Sequence, residues 1–357
     1  MLRPAKVLLI DSRSFNGHEV QQFPERFADY ESMITDGFPT DEQCHRFLDG
    51  LTHVLTCETP YNRELYAEAE RRGIKTYEQY NFEFQDALIK PELPQPTMFL
   101  APSLWNIDVM RSRFGDRVVH IPPPTFPQDF ARPRQANLQR RGRRRFLMVV
   151  GKPAHGDRNG VMPLMYAMQR SRADFELVVK SQEPIQQLLR DARITWDSSA
   201  PNDRAELYEG FDALILPRRY GGLCLPMNEA LTSGLPVIMS NTSPNDSILP
   251  ADWLVPGAFN GGFTSRVPIQ YFNVNIAVLA RKLDEWATMP DEVLDQHKAE
   301  RSSYRGNLIR RCCGLSTRRR SGGHRTAAQT LAHPNQVVRL GNLRLWKRVG
   351  NLHAALL

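Results

Sequence analysis

Nothing in the 357-residue chain is apolar for long enough to cross a bilayer. The stretches Val7-Leu8-Leu9-Ile10 and Phe146-Leu147-Met148-Val149-Val150 are strand-sized, against the 18 or so residues a membrane helix needs. The first residues also lack the apolar core of a signal peptide, so a cytoplasmic location is the expectation. Cysteine is scarce. Cys44, Cys57, Cys224, Cys312 and Cys313 are odd in number and their one close pair is adjacent, which excludes a paired-ligand metal site and leaves reduced thiols. The signatures GxGxxG after the first strand, HExxH and GxSxG are missing, and with them the cues for dinucleotide oxidoreductases, zinc proteases and serine hydrolases. Gly151-Lys152-Pro153-Ala154-His155-Gly156 opens like a phosphate loop, but Asp157-Arg158 stands where Lys and Ser or Thr would hold phosphate and magnesium.

Acidic residues are absent from 305–357, which holds eleven Lys or Arg, whereas the preceding 304 residues hold 35 basic and 39 acidic side chains. The formal charge of +7 therefore belongs to the tail. That excludes a uniformly basic nucleic-acid-binding body and leaves two readings of 305–357: a polybasic, disordered arm for nucleic acid or an anionic membrane surface, or a terminus without a role. A second basic stretch, with seven arginines between Arg132 and Arg145 and prolines at 127 and 133, lacks an apolar period. It reads as an interdomain linker over 125–145, either a solvated connector or a patch for an anionic partner.

What is present is a repeated alternation of strand and helix. The pattern predicts strands over 6–11, 52–57, 75–80, 98–101 and 117–121, with helices over 62–72 and 105–114. After the linker it restarts, with strands over 145–150, 175–180, 212–216 and 237–240 and helices over 162–169, 184–190 and 226–233. Pro226 suits a first helical turn, and Gly234 then Pro236 stop the helix. The fold expected is α/β, two doubly wound, Rossmann-like domains facing a cleft: 1–124, then the linker, then 146–304.

One segment carries more chemistry than the rest. The strand over 212–216 leads into Pro217-Arg218-Arg219-Tyr220-Gly221-Gly222-Leu223-Cys224-Leu225-Pro226-Met227-Asn228-Glu229-Ala230, followed by Gly234-Leu235-Pro236-Val237-Ile238. A strand, a glycine-bearing loop and a helix N-terminus together offer unpaired amides and a favourable dipole to an anion such as a diphosphate. Glu229, one turn into the helix, suits hydroxyl donors such as a ribose diol.

This segment resembles the donor site of glycosyltransferase family 4, the glycosyl transferases group 1 with the GT-B fold. The family pattern runs strand, Pro-Ser, Glu-Gly-Phe-Gly-Leu-Pro, two residues, Glu-Ala, then Gly-x-Pro-Val-Val or Ile, and Pro217, Gly222, Leu225, Pro226, Glu229, Ala230, Gly234, Pro236, Val237 and Ile238 match it. The likeness extends more loosely over 145–290. It implies a nucleotide-sugar-dependent transferase acting with retention of configuration, without cofactor or metal. Gly222, Leu223, Cys224, Leu225, Glu229, Lys180 and Tyr220 would then line the donor site. Lys152 and Arg158 would neutralise the departing diphosphate as the catalytic cations; the family's Gly-Arg and Lys-Gly correspond here to Gly151-Lys152 and Asn159-Gly160. Asn16, Gly17, Glu58 and Tyr61, at the ends of predicted strands, are the acceptor-side candidates, although turn chemistry also accounts for the Asn and Gly.

One departure stands out. The family's first glutamate, which contacts the donor sugar, falls on Gly221. Either another residue such as Tyr220 or Arg219 serves the sugar, or the site is altered. Two rival classes therefore stay open, a non-catalytic GT-B relative and a nucleic-acid-associated protein using the basic linker and tail, with sugar-nucleotide epimerases as a third. The acceptor could be a sugar, a lipid, a protein or a nucleic acid.

Overall fold

The computed structural model describes residues 10–12, 33–35, 39–57, 62–122, 125, 127–151, 157–185 and 189–299. Strands β1 (Ile10–Ser12) and β2 (Met33–Thr35) pair in parallel. Four more strands, β3 (His53–Cys57), β4 (Lys75–Gln79), β5 (Met98–Ala101) and β6 (Val118–His120), form a parallel sheet in sequence order. Between them run helices α1 (Asp41–Phe47), α2 (Glu64–Arg71) and α3 (Ile107–Phe114). Thr40 starts α1 through a capping box: its hydroxyl accepts from the Gln43 amide at 3.2 Å while Gln43 Oε1 accepts from the Thr40 amide at 2.8 Å. Cys44, Leu48, Leu65, Tyr66 and Ala69 then bury one face of this helix pair against Val54 and Ile74.

The second half is a seven-stranded sheet. Strands β7 (Arg145–Gly151), β8 (Glu176–Ser181), β9 (Ile194–Asp197), β10 (Ala213–Leu216), β11 (Val237–Asn241), β12 (Leu254–Thr264) and β13 (Pro268–Val274) lie in the order 13-12-11-10-7-8-9. All pair in parallel except the β12–β13 hairpin, which is antiparallel. The order 9-8-7-10-11-12 is the doubly wound one, with a reversal of winding between β7 and β10. Phe146 to Val150 on β7 and every residue of β10 are buried, as continuous apolar runs covered on both faces require. Helix α5 (Val161–Arg170) packs its Leu164, Met165 and Met168 against α7 (Ile276–Thr288), which buries Leu279, Leu283 and Trp286. Each such side chain contributes about 1.5–3 kcal/mol through burial.

Two expectations change. Residues 184, 185, 189 and 190, the described ends of the expected 184–190 helix, are coil, and residues 182–183 form a bend after β8. The 125–145 segment is not wholly irregular: it carries helix α4 (Ala131–Gln139), and six of its seven arginines are ion-paired, several of them while still partly exposed. Arg132 pairs with Glu209, Arg140 with Asp212, Arg141 with Asp295, Arg143 with Asp174, Arg144 with Asp291 and Arg145 with Glu176, all between 2.6 and 3.0 Å. The hairpin was not foreseen in the sequence. The basic tail, 305–357, lies outside the described residues.

At the base of the sheet stands Asp212, fully buried. Its Oδ2 accepts from the Arg145 amide at 2.9 Å and meets Arg140 Nη1 at 2.9 Å. Oδ1 takes Lys298 Nζ at 3.1 Å, and Lys298, on α8 (Asp291–Ala299), also donates to the Asn137 carbonyl at 2.8 Å. Lys298 is itself fully buried. Because its ammonium ion has little else to pair with, Asp212→Ala should cost roughly 3–5 kcal/mol, read as a fall in the denaturant midpoint. A loss below about 1 kcal/mol would show that water or another group takes over.

The first half has its own buried polar cluster. Glu78 on β4 accepts from Gln85 Nε2 at 2.7 Å and from the Tyr66 hydroxyl at 3.2 Å, with Arg63 Nη1 at 3.8 Å. Burial pushes its carboxyl up from 4.5 to about 7 against the lowering pull of Arg63. A raised carboxyl holds its proton longer in the folded protein than in the unfolded one, so this contribution is complete below about pH 4.5 and lost as pH rises through about 7. Glu78→Gln should remove it: the stability of the wild type relative to the variant should fall by about 1 kcal/mol per pH unit between those values, measured by chemical denaturation in a pH series. Parallel curves for the two proteins would show that Glu78 does not titrate in that window.

Candidate functional site

The reversal between β7 and β10 decides where the site forms. β7 and β10 end side by side, at the carboxyl ends where open α/β sheets bind ligands, and residues 157–160 and the loop after β10 lie there. They are stitched together: the Arg219 amide donates to the Arg158 carbonyl at 2.8 Å, and Gly160 lies so close that a Cβ there would sit 2.1 Å from the Pro217 carbonyl oxygen.

Two helices start at this point, and they differ. Asp157 caps α5, its two carboxylate oxygens accepting from the Val161 and Met162 amides at 2.7 and 2.9 Å; burial is the leading influence on its carboxyl and raises its pKa. That N-terminus is occupied. Helix α6 (Leu225–Thr232) begins at Cys224 with no side-chain cap and with Pro226 in its first turn. Its first-turn amides are the ones left to an anion at the reversal.

Arg158 reaches out from the β7 loop. Its guanidinium lies over the Tyr220 ring, 4.8 Å from the centroid, and its Nη2 contacts Glu83 Oε2 of the first half. Tyr220 is nearly buried, packed with Tyr80, Phe82, Phe99 and Trp105 of the first half and with Val267 and Ile269 of the hairpin. Lys180 is placed otherwise. At the end of β8 its Nζ pairs with Asp197 Oδ2 at 2.5 Å, and this bond, ahead of those from Ser199, holds the Asp197 carboxyl down at about 2. Glu229 is 2 % exposed and turned toward the 204–208 turn, with the Tyr208 hydroxyl donating to Oε2 at 2.5 Å and Arg204 Nε 3.2 Å from Oε1. The structure thus brings Arg158, Tyr220, Gly222 and the start of α6 to one place and leaves Lys180 in an ion pair between β8 and β9. Lys152, Asn16, Gly17, Glu58 and Tyr61 lie outside the described residues.

Gly221 has a specific neighbour. Its φ is +120°, and an added Cβ would fall 2.3 Å from Arg218 Nη2. Arg218 is 7 % exposed, folded back inside its own loop, with Nε donating to the Tyr220 carbonyl at 2.9 Å and Nη1 to the Leu223 carbonyl at 3.2 Å. A guanidinium therefore occupies the space from which a glutamate at 221 would project. Gly222 is equally constrained, since its Cβ would meet Trp105 at 2.9 Å and Ser103 at 3.0 Å.

Sequence reasoning missed Glu83, Ser103, Trp105 and Arg218. The first three follow the carboxyl ends of β4 and β5, so strand ends were the available signal; Arg218 carried none beyond its adjacency to the motif.

Residues 144–261 match the family model described as glycosyl transferases group 1. Among solved structures, the lipopolysaccharide outer core galactosyltransferase WaaB in its apo form aligns at a TM-score of 0.55 with 11% identity, covering 85% of this chain and 99% of that one. A glycosyltransferase from Rickettsia africae aligns at 0.56 with 12% identity, covering 88% and 100%. An Anabaena protein, HepE, in complex with UDP and glucose, aligns at 0.52 with 10% identity, covering 87% and 100%. The fold is GT-B. No curated protein sequence matches the chain. In GT-B terms the contacts Arg158–Glu83 and Gly222–Trp105 join the facing carboxyl ends of the two sheets. Among the described residues no helix is long and apolar enough to cross a membrane.

The packing around Gly221 predicts how the loop responds to change. Gly221→Glu alone should cost roughly 1–3 kcal/mol, since it forces both an unfavourable φ and a collision. Adding Arg218→Ser should recover part of that loss in thermal unfolding. Equal destabilisation of single and double variants would mean that the two positions are not coupled.

Proposed function

We propose that the chain is a nucleotide-sugar-dependent glycosyltransferase, related to family 4 and acting with retention of configuration. The observation that carries this is the family match over 144–261, which spans the whole reversal with Arg158, the uncapped start of α6 and Glu229. The reaction asks for little general acid–base chemistry. A departing nucleoside diphosphate gains negative charge, which Arg158, Lys152 and the α6 amides would stabilise, while apposed sheet ends align an acceptor hydroxyl and exclude water. Neither a cofactor nor a metal enters this reading. The UDP bound by the Anabaena protein makes uridine nucleotides the first donors to test. Glu229 would receive the ribose diol by exchanging it for the Tyr208 hydroxyl, one O–H donor for another.

A second reading, a GT-B protein that binds sugar nucleotide without turning it over, is favoured by Arg218 filling the place of the missing glutamate. Sugar release from a panel of nucleotide sugars, with and without acceptors, separates the two; binding without release selects the second. For Glu229→Ala, binding of UDP should weaken by roughly 1.5–3 kcal/mol, the range for hydrogen bonds to a charged group, and uridine should lose as much because the ribose is common to both. Tyr208→Phe should bind at least as well as wild type in the same titration. Unchanged uridine binding by Glu229→Ala would remove the ribose assignment.

A further inference from the structure

We infer that Glu83 is a positioning residue for Arg158, fixing the guanidinium that meets the donor diphosphate; this rests on the glycosyltransferase reading above. Glu83 belongs to the short turn after β4, in the first half, and is 5 % exposed. Its own backbone is held at both ends, the amide donating to Asn81 Oδ1 at 3.3 Å and the carbonyl accepting from the Arg266 amide of the hairpin at 3.1 Å. The carboxylate is thus presented from a fixed frame.

Arg158 is held on two sides. Tyr220 covers a face of the guanidinium, and Glu83 takes Nη2. Its Nε is buried and makes no hydrogen bond, while the side chain as a whole keeps 26 % exposure. A flexible arginine loses several rotatable bonds when it binds an anion, and prior fixing of its plane removes much of that cost. The exposed part of this guanidinium, beyond the Nη2 bond to Glu83, keeps donor capacity available to phosphate oxygens. Because Glu83 comes from the opposite sheet, the arginine is in place only when the two strand ends are together.

The test uses the full chain with UDP, ADP and GDP and their nucleosides, titrated calorimetrically into wild type, Glu83→Ala, Glu83→Gln, Arg158→Ala and the Glu83→Ala/Arg158→Ala double variant. Expected is an approximately tenfold weaker affinity of Glu83→Ala for the diphosphate that wild type binds best, with its nucleoside unaffected. Glu83→Gln, which keeps an oxygen acceptor for Nη2, should lose less than about threefold, and Glu83→Ala should add nothing in the Arg158→Ala background. Glu83→Asp carries the same comparison if Glu83→Ala does not fold. Equal or tighter diphosphate binding by Glu83→Ala would overturn the inference, making the carboxylate a bystander or a competitor. So would a loss shared by the nucleoside, or one that persists without Arg158. A folded wild type that binds none of the three diphosphates overturns the donor reading itself, an outcome distinct from all of these.

Discussion

The pairing of β7 with β10 is the constraint on which the rest of the second half depends, and Asp212 sets it. Its amide donates to the Arg145 carbonyl at 2.8 Å while its carboxylate accepts from the Arg145 amide at 2.9 Å, so the two strands start in a fixed register, Ala213 beside Phe146 and Leu214 beside Leu147. A buried carboxylate costs several kcal/mol unless compensated. Here Lys298 and Arg140 compensate it, bringing α8 and α4 under the sheet. A slip of one residue would turn every side chain of a strand to the opposite face and would carry the loops after β7 and β10 out of alignment.

The loop after β10 differs from the motif it resembles at positions that touch one another. Arg218 stands where the family pattern has serine, and Gly221 where it has glutamate. The two differences fit each other in space, since the absence of a Cβ at 221 makes room for the guanidinium and the guanidinium in turn satisfies the Tyr220 and Leu223 carbonyls. The loop thereby keeps its path to α6, and Glu229 stays at its helical position. Where the resembled pattern places an anion beside the helix start, this loop places the Arg218 guanidinium.

Much of the fold was legible because it is written in short-range patterns. Continuous apolar runs such as Phe146 to Val150 and Ala213 to Leu216, and the Pro226 and Gly234 brackets of α6, give strand and helix almost to the residue. The coil ends of the 184–190 stretch are not legible because its amphipathic spacing and Pro184 both read as a helix start, and the pairing of the arginine segment is not legible because its partners lie as far away as Asp291 and Asp295. The site divides the same way. Gly222, Leu225 and Glu229 belong to one contiguous motif, whereas Glu83 and Trp105 reach it through tertiary packing alone. Lys180 looked like an available cation until its neighbour Asp197, on the next strand, came into view.

The β12–β13 hairpin leaves the edge of the second sheet and buries Val267 and Ile269 among Phe82, Trp105 and Tyr220, while Arg266 reaches Asp86 at 3.2 Å. The two halves are therefore joined through the hairpin as well as through the 125–145 crossing and the Arg158–Glu83 and Gly222–Trp105 contacts. A chain tied at several separate points does not swing like a book on one spine. Parting the facing strand ends would therefore expose Val267 and Ile269 to water and separate Arg266 from Asp86, in addition to breaking the contacts at the reversal.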